Sequence, residues 1–75
     1  MAIQKIFIVG AGFMGTGIAE NAATNGIEVV TYDIVEPVLE RSQRIIYKNL
    51  NRKVSKGRIT EEEMQDIIGR ISWSS

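Results

Sequence analysis

The sequence has no cysteine and no histidine. The first absence excludes disulfides and thiolate chemistry, and cysteine usage therefore places no constraint on the redox compartment. The second removes imidazole as an acid, a base or a metal ligand. Nine Lys and Arg residues balance nine Asp and Glu residues, so the formal net charge is zero. No basic surplus points to nucleic acid or to an anionic membrane surface, and neither partner is expected. No apolar run approaches the ~20 residues that a membrane-spanning helix needs. Strand-like sequence begins almost at Met1, which is expected to leave no room for a signal or transit peptide, and a cytoplasmic location follows as the simple expectation. At 75 residues the chain is short for a domain with its own core.

What is there begins with an apolar run, Ile6-Phe7-Ile8-Val9, that stops abruptly in glycines. The run is rich in β-branched and aromatic residues and reads as a strand from about Ile3 to Val9, buried on both faces as in a parallel sheet. Gly10, Gly12 and Gly15 fit the spacing G-x-G-x-x-G. In that motif the first glycine permits the tight strand-to-helix turn. The second lets backbone approach a pyrophosphate, and the third lets the helix pack closely on the strand. Free amides at the helix start then face the ligand, aided by the helix dipole. The backbone from Gly10 through Ala11, Gly12, Phe13 and Met14 to Gly15 is therefore the candidate cradle. The Phe13 and Met14 side chains are read as packing groups.

A first helix is expected from about Phe13 to Asn25, with Ile18, Ala19, Ala22 and Ala23 on its apolar face. Gly17 inside it costs ~1 kcal/mol relative to Ala, which points to close packing or ligand approach. Asn25-Gly26 reads as a helix stop, with Gly26 at the left-handed C′ position. The β-branched stretch Glu28–Tyr32 reads as a second strand. Pro37 opens a long helix reaching about Lys56, with Val38, Leu39, Ser42, Ile45, Ile46, Leu50 and Val54 at helical spacing. Gly57 ends it. Thr60 and Glu63 form a capping box for a short third helix carrying Met64, Ile67 and Ile68 and closed by Gly69. The acidic run Glu61-Glu62-Glu63 suits a solvated helix start far better than a metal site. Ile71–Ser74 reads as a third strand, cut at Ser75, and Trp73 as a core or domain-contact residue.

The order strand, helix, strand, helix, helix, strand, joined by right-handed crossovers, predicts parallel strands in the order 3-2-1. The fold class is α/β: a partial Rossmann (doubly wound) fold, with a helical hairpin between strands two and three. Residues 1–75 are read as the N-terminal half of a dinucleotide-binding domain, the remainder and any C-terminal domain being absent.

Asp33 follows the second strand, close to the ~20-residue separation at which an acid of this motif meets the adenosine ribose hydroxyls. Its carboxylate repels a 2′-phosphate, and Ile34 stands where Arg or Lys would favour one, so NAD is expected over NADP. Lys48, Arg52, Lys53, Lys56 and Arg58 form a basic stretch at the far end of the long helix. It is either a solvated face or a site for a phosphate-bearing substrate.

Together these residues resemble the 3-hydroxyacyl-CoA dehydrogenase family, most closely its short bacterial 3-hydroxybutyryl-CoA dehydrogenase members. The resemblance rests on Gly10-Ala11-Gly12-Phe13-Met14-Gly15-Thr16-Gly17-Ile18-Ala19. It continues through Asp33, the long helix, Lys56-Gly57-Arg58-Ile59-Thr60-Glu61-Glu62 and Arg70-Ile71-Ser72-Trp73-Ser74. It implies an NAD-dependent oxidoreductase of fatty acid metabolism that interconverts 3-hydroxyacyl-CoA and 3-ketoacyl-CoA. It also implies that the helical hairpin helps to bind coenzyme A, with contact positions at Asn49 and Lys56. Asn49 departs from a common serine. The family's catalytic His and the Glu that orients it fall beyond residue 75, so no catalytic residue is assigned. The alternatives are a stand-alone βαβ folding or nucleotide-binding module, or the start of another NAD-dependent β-hydroxyacid dehydrogenase. A first strand with an open edge is expected to favour self-association.

Overall fold

The computed structural model describes residues 5–75. The expected start of the first strand at Ile3 lies outside them. β1 spans Lys5–Val9, α1 Phe13–Thr24, β2 Glu28–Tyr32, α2 Glu36–Ser55, α3 Glu61–Gly69 and β3 Ile71–Ser74. The elements follow the predicted order, with boundaries shifted by a residue or two.

The three strands form one parallel sheet with β2 in the centre and β1 and β3 at the edges. Read from either side, this is the 3-2-1 order. The register aligns Ile6, Val29 and Ile71 in one row, and Ile8, Thr31 and Trp73 in another. Period-two alternation sends these two rows to one face of the sheet, and that face carries the core. Ile8, Val29 and Ile71 cluster there with Ala19, Ala22 and Ala23 of α1, Ile46 and Leu50 of α2, and Met64 and Ile67 of α3.

The alternate rows, with Phe7 beside Val30 and Val9 beside Tyr32, face the other way. Phe7 is 73% exposed and Val9 85%. The expectation that the first strand is buried on both faces is thus corrected. Both crossovers step in the same direction across the sheet, so right-handedness sets all three helices on one side. Among the described residues nothing covers the other.

α1 buries Thr16, Ala19, Ala22 and Ala23, whereas Ile18 is half exposed. Thr16 takes the place of Ile18 in the buried stripe, and the other three residues are as expected. Gly26 and Gly57 have φ of +85° and +71°, as left-handed helix stops require. α2 has 20 residues and is therefore ~30 Å long. It buries Leu39, Ser42, Ile46 and Leu50. The Thr60–Glu63 capping box forms in both directions, at 3.0 Å and 2.8 Å.

Candidate functional site

Parallel strands end at the same edge of the sheet, and in open α/β sheets that edge carries the ligand. Here it gathers the turn after β1, the start of α1 and the residue after β2. The Gly10 amide donates to Tyr32 O at 2.7 Å, which extends the ladder one step past β1. The chain then turns at Gly10, whose φ of +101° lies where side chains are rarely tolerated.

Gly12 is different. Its φ of −71° suits any residue, and a Cβ built there meets nothing. No internal contact therefore calls for glycine at this position. The space in front of it is open, as close approach by an external group requires. Gly15 is held by packing: a Cβ there would collide with the Gly10 carbonyl oxygen and crowd Ile8. A Cβ on Gly17 meets nothing either, and the residue is exposed. Close helix packing does not explain it.

α1 starts at Phe13 with Gly12 as its N-cap, without a side-chain cap and without an acidic residue in its first turn. The first amides of a helix have no intrahelical acceptor. Among the described residues no side chain caps them, and the positive end of the helix dipole adds to their pull on an anion. A diphosphate fits this arrangement. The Phe13 and Met14 side chains are 78% and 81% exposed, contrary to the expectation that they pack. Phe13 instead lies beneath the Arg41 guanidinium, 5.3 Å from its ring centroid.

Asp33 reaches this turn from β2. Its Oδ2 accepts from the Ala11 amide at 3.0 Å and its Oδ1 from the Val35 amide at 2.9 Å. The Ala11 amide, followed by that of Val35, holds the carboxyl below its ordinary value, because hydrogen bonds to the ionised form favour it. Each carboxylate oxygen keeps a further lone pair for an external hydroxyl.

Beneath the turn, Thr16 Oγ1 and Ser42 Oγ lie 2.6 Å apart, both residues buried, and Thr16 also donates to Ala11 O at 3.3 Å. This hydroxyl pair ties α2 to the glycine turn. The only sequence signal for it was a serine within the apolar stripe of α2.

At the other end of α2, Asn49, Arg52, Lys53, Lys56 and Arg58 line one cleft of about 220 Å³ with Glu20 of α1. Asn49 and Lys56 and most of the basic stretch thus line one cleft. Lys48 does not line this cleft. Glu20 was not anticipated. It accepts from Asn49 Nδ2 at 3.0 Å and lies 3.6 Å from Lys53 Nζ. A contact spanning 29 residues between two helices leaves no mark in local periodicity.

Among the described residues, no group of His, Cys, Asp or Glu is arranged to hold a metal. No helix among the described residues is long and apolar enough to cross a membrane.

Known proteins resemble this chain in sequence and structure. The chain is 39% identical over 74 residues to a 3-hydroxybutyryl-CoA dehydrogenase of Mycobacterium tuberculosis, covering 99% of this chain and 26% of that protein. It is 42% identical over 74 residues to a probable 3-hydroxybutyryl-CoA dehydrogenase of Bacillus subtilis, with the same coverage. Its structure superposes on that of (S)-3-hydroxybutyryl-CoA dehydrogenase from Ralstonia eutropha with a TM-score of 0.93 and 34% identity, over 99% of this chain and 26% of that one. The chain thus spans about a quarter of the length of these relatives. The family described as "3-hydroxyacyl-CoA dehydrogenase, NAD binding domain" matches residues 5–75. On that match over nearly its whole length, the chain belongs to the NAD-binding domain family of the 3-hydroxyacyl-CoA dehydrogenases.

Proposed function

We propose that residues 1–75 are the N-terminal half of the NAD-binding domain of an NAD-dependent 3-hydroxyacyl-CoA dehydrogenase. Such an oxidoreductase interconverts 3-hydroxyacyl-CoA and 3-ketoacyl-CoA. The observation that carries this reading is the uncapped start of α1 facing Asp33, whose carboxylate is fixed by the Ala11 amide.

In this reading the amides from Gly12 to Gly15 receive the pyrophosphate. Gly10 and Ala11 shape the turn behind it, and the exposed Phe13 and Met14 flank it. Asp33 accepts the two adenosine ribose hydroxyls and disfavours a 2′-phosphate, which selects NAD over NADP. When bound, NAD supplies the hydride acceptor. This chain's residues bind and orient the adenosine diphosphate half. The sequence contains no His, so a His general base has to come from elsewhere in the protein.

Asn49 and Lys56 are the proposed contacts for coenzyme A, in a cleft whose four cations suit its nucleotide phosphates. A cytoplasmic location and a tendency of these 75 residues to self-associate through the β1 edge complete the reading.

Calorimetric titration of the protein carrying this chain with NAD and NADP tests it. Saturable NAD binding at micromolar to millimolar concentration, with NADP weaker, is expected. Absence of NAD binding, or equal affinity for the two, overturns it. Turnover of 3-ketobutyryl-CoA with NADH tests the activity, and its absence with NAD binding intact would favour a different dehydrogenase.

A further inference from the structure

The cleft between α1 and α2 holds four cationic side chains and a single carboxylate, Glu20. That carboxylate is not a free rim group. Its side chain is only 15% exposed, and it engages Asn49 through one oxygen and Lys53 through the other. The Lys53 contact is loose, at 3.6 Å, and the Lys53 side chain is 38% exposed. A phosphate entering the cleft meets Arg52, Lys56 and Arg58 without an opposing charge assigned to them among the described salt bridges. It meets Asn49 and Lys53 already occupied by an internal anion.

We propose that Glu20 is a specificity-determining residue of this cleft, an internal anion that competes with the ligand's phosphate for Lys53 and Asn49. The inference rests on the reading of the cleft as a coenzyme A site and adds a control on its affinity. Two like charges near one cation repel, and a partly buried pair is screened less than an exposed one. Glu20 therefore weakens binding of every anion. The penalty grows with ligand charge and is largest for a dianionic phosphate seated beside Lys53. Rapid release of a bulky nucleotide thioester is the kinetic counterpart.

The discriminating substitution is Glu20→Gln. The glutamine carbonyl still accepts from Asn49 Nδ2, and its volume is unchanged, so the hydrogen bond survives while the charge goes. The probes are adenosine 3′,5′-bisphosphate and adenosine 5′-monophosphate, titrated by calorimetry at two salt concentrations into the protein carrying this chain. Glu20→Gln is expected to tighten the bisphosphate three- to tenfold and the monophosphate less, with the gain shrinking at higher salt. In a Lys53→Met background the gain is expected to fall by at least half, because the contested cation is gone. A circular dichroism melt on each variant confirms that the fold is retained.

Unchanged bisphosphate affinity in Glu20→Gln overturns the proposal while leaving the cleft a phosphate site. Weaker affinity overturns it too and makes Glu20 a positioning group for Lys53. If neither wild type nor variant binds the bisphosphate, the coenzyme A reading of the cleft fails along with the proposal.

Discussion

The Ala11 backbone amide donates to Asp33 Oδ2 at 3.0 Å, and this bond ties the Asp33 side chain to the glycine turn. In the proposed function Asp33 consequently has two tasks: it offers lone pairs to a ribose, and it pins the turn proposed to carry the pyrophosphate. A substitution chosen to change cofactor preference removes both. Asp33→Arg is expected to raise the NADP-to-NAD ratio of kcat/KM, and also to lower the melting temperature because the Ala11 amide loses its acceptor. Steady-state kinetics with both cofactors, together with a thermal melt, checks this. A switch in preference with undiminished stability would show that the Ala11 contact matters little.

The same bond sets a pH dependence. The Ala11 and Val35 amides favour the ionised carboxyl, so the folded chain releases the Asp33 proton below the ordinary value of 3.8. A depressed folded value stabilises the native state fully above the unfolded value. The contribution is lost as the pH falls through the lower, folded one. A carboxyl carbon-13 NMR titration is expected to place the Asp33 midpoint below 3.8. In a variant that removes the Ala11 donor by a backbone ester, the midpoint should move up.

The glycines separate stability from binding. A Cβ at Gly15 strikes the Gly10 carbonyl, and backbone pressed against backbone has little room to yield. Gly15→Ala is therefore expected to cost ~3 kcal/mol, the upper end for overpacking. Gly17→Ala is expected to add ~1 kcal/mol, since the helix gains propensity and the methyl meets nothing. Gly12→Ala is expected to leave urea denaturation almost unchanged and yet weaken NAD roughly tenfold or more, equivalent to ~1.4 kcal/mol of lost affinity. If Gly12→Ala instead binds NAD normally, the pyrophosphate does not approach there.

Local chemistry made much of this legible in the sequence. The turn after Val9, the Thr60–Glu63 box and the glycine stops at 26 and 57 each depend on neighbouring residues, and each formed as read. Contacts between distant residues were not legible. Glu20 with Asn49 and Thr16 with Ser42 join residues 29 and 26 positions apart, and their side chains carry no periodic signature. The open face of β1 was misread for a different reason. Phe7 and Val9 look like core residues because apolar content reports what a strand is suited to bury, and not whether a covering layer lies within the described residues.

The buried Thr16–Ser42 pair invites a stability test. At 2.6 Å one hydroxyl donates to the other, and Ser42 is fully buried. Ser42→Ala removes a partner from Thr16, which keeps only its longer bond to Ala11 O. A cost of ~1–3 kcal/mol is expected from the loss of a buried hydrogen bond, read as a lower urea midpoint at unchanged slope. Replacing both residues, Thr16→Val with Ser42→Ala, should cost less than the two single changes added together, because neither hydroxyl is left facing an apolar group in place of the other.

The open edge of β1 gives the last test. The Gly10 amide points to Tyr32 of β2. Backbone groups alternate sides along a strand, so Ile6 and Ile8 also face β2 while Phe7 and Val9 direct theirs to the free edge. Those same two residues carry exposed apolar side chains. An unpaired edge beside an uncovered apolar face is a template for a second chain. These 75 residues are expected to sediment as a concentration-dependent mixture of monomer and larger species. Phe7→Lys puts a charge at the centre of that edge and face without touching the bonds to β2, and is expected to return the chain to monomer with its helix content intact. A wild-type monomer across the accessible concentration range would mean that the edge is too short or too twisted to pair. Association that persists in Phe7→Lys would move the contact away from β1.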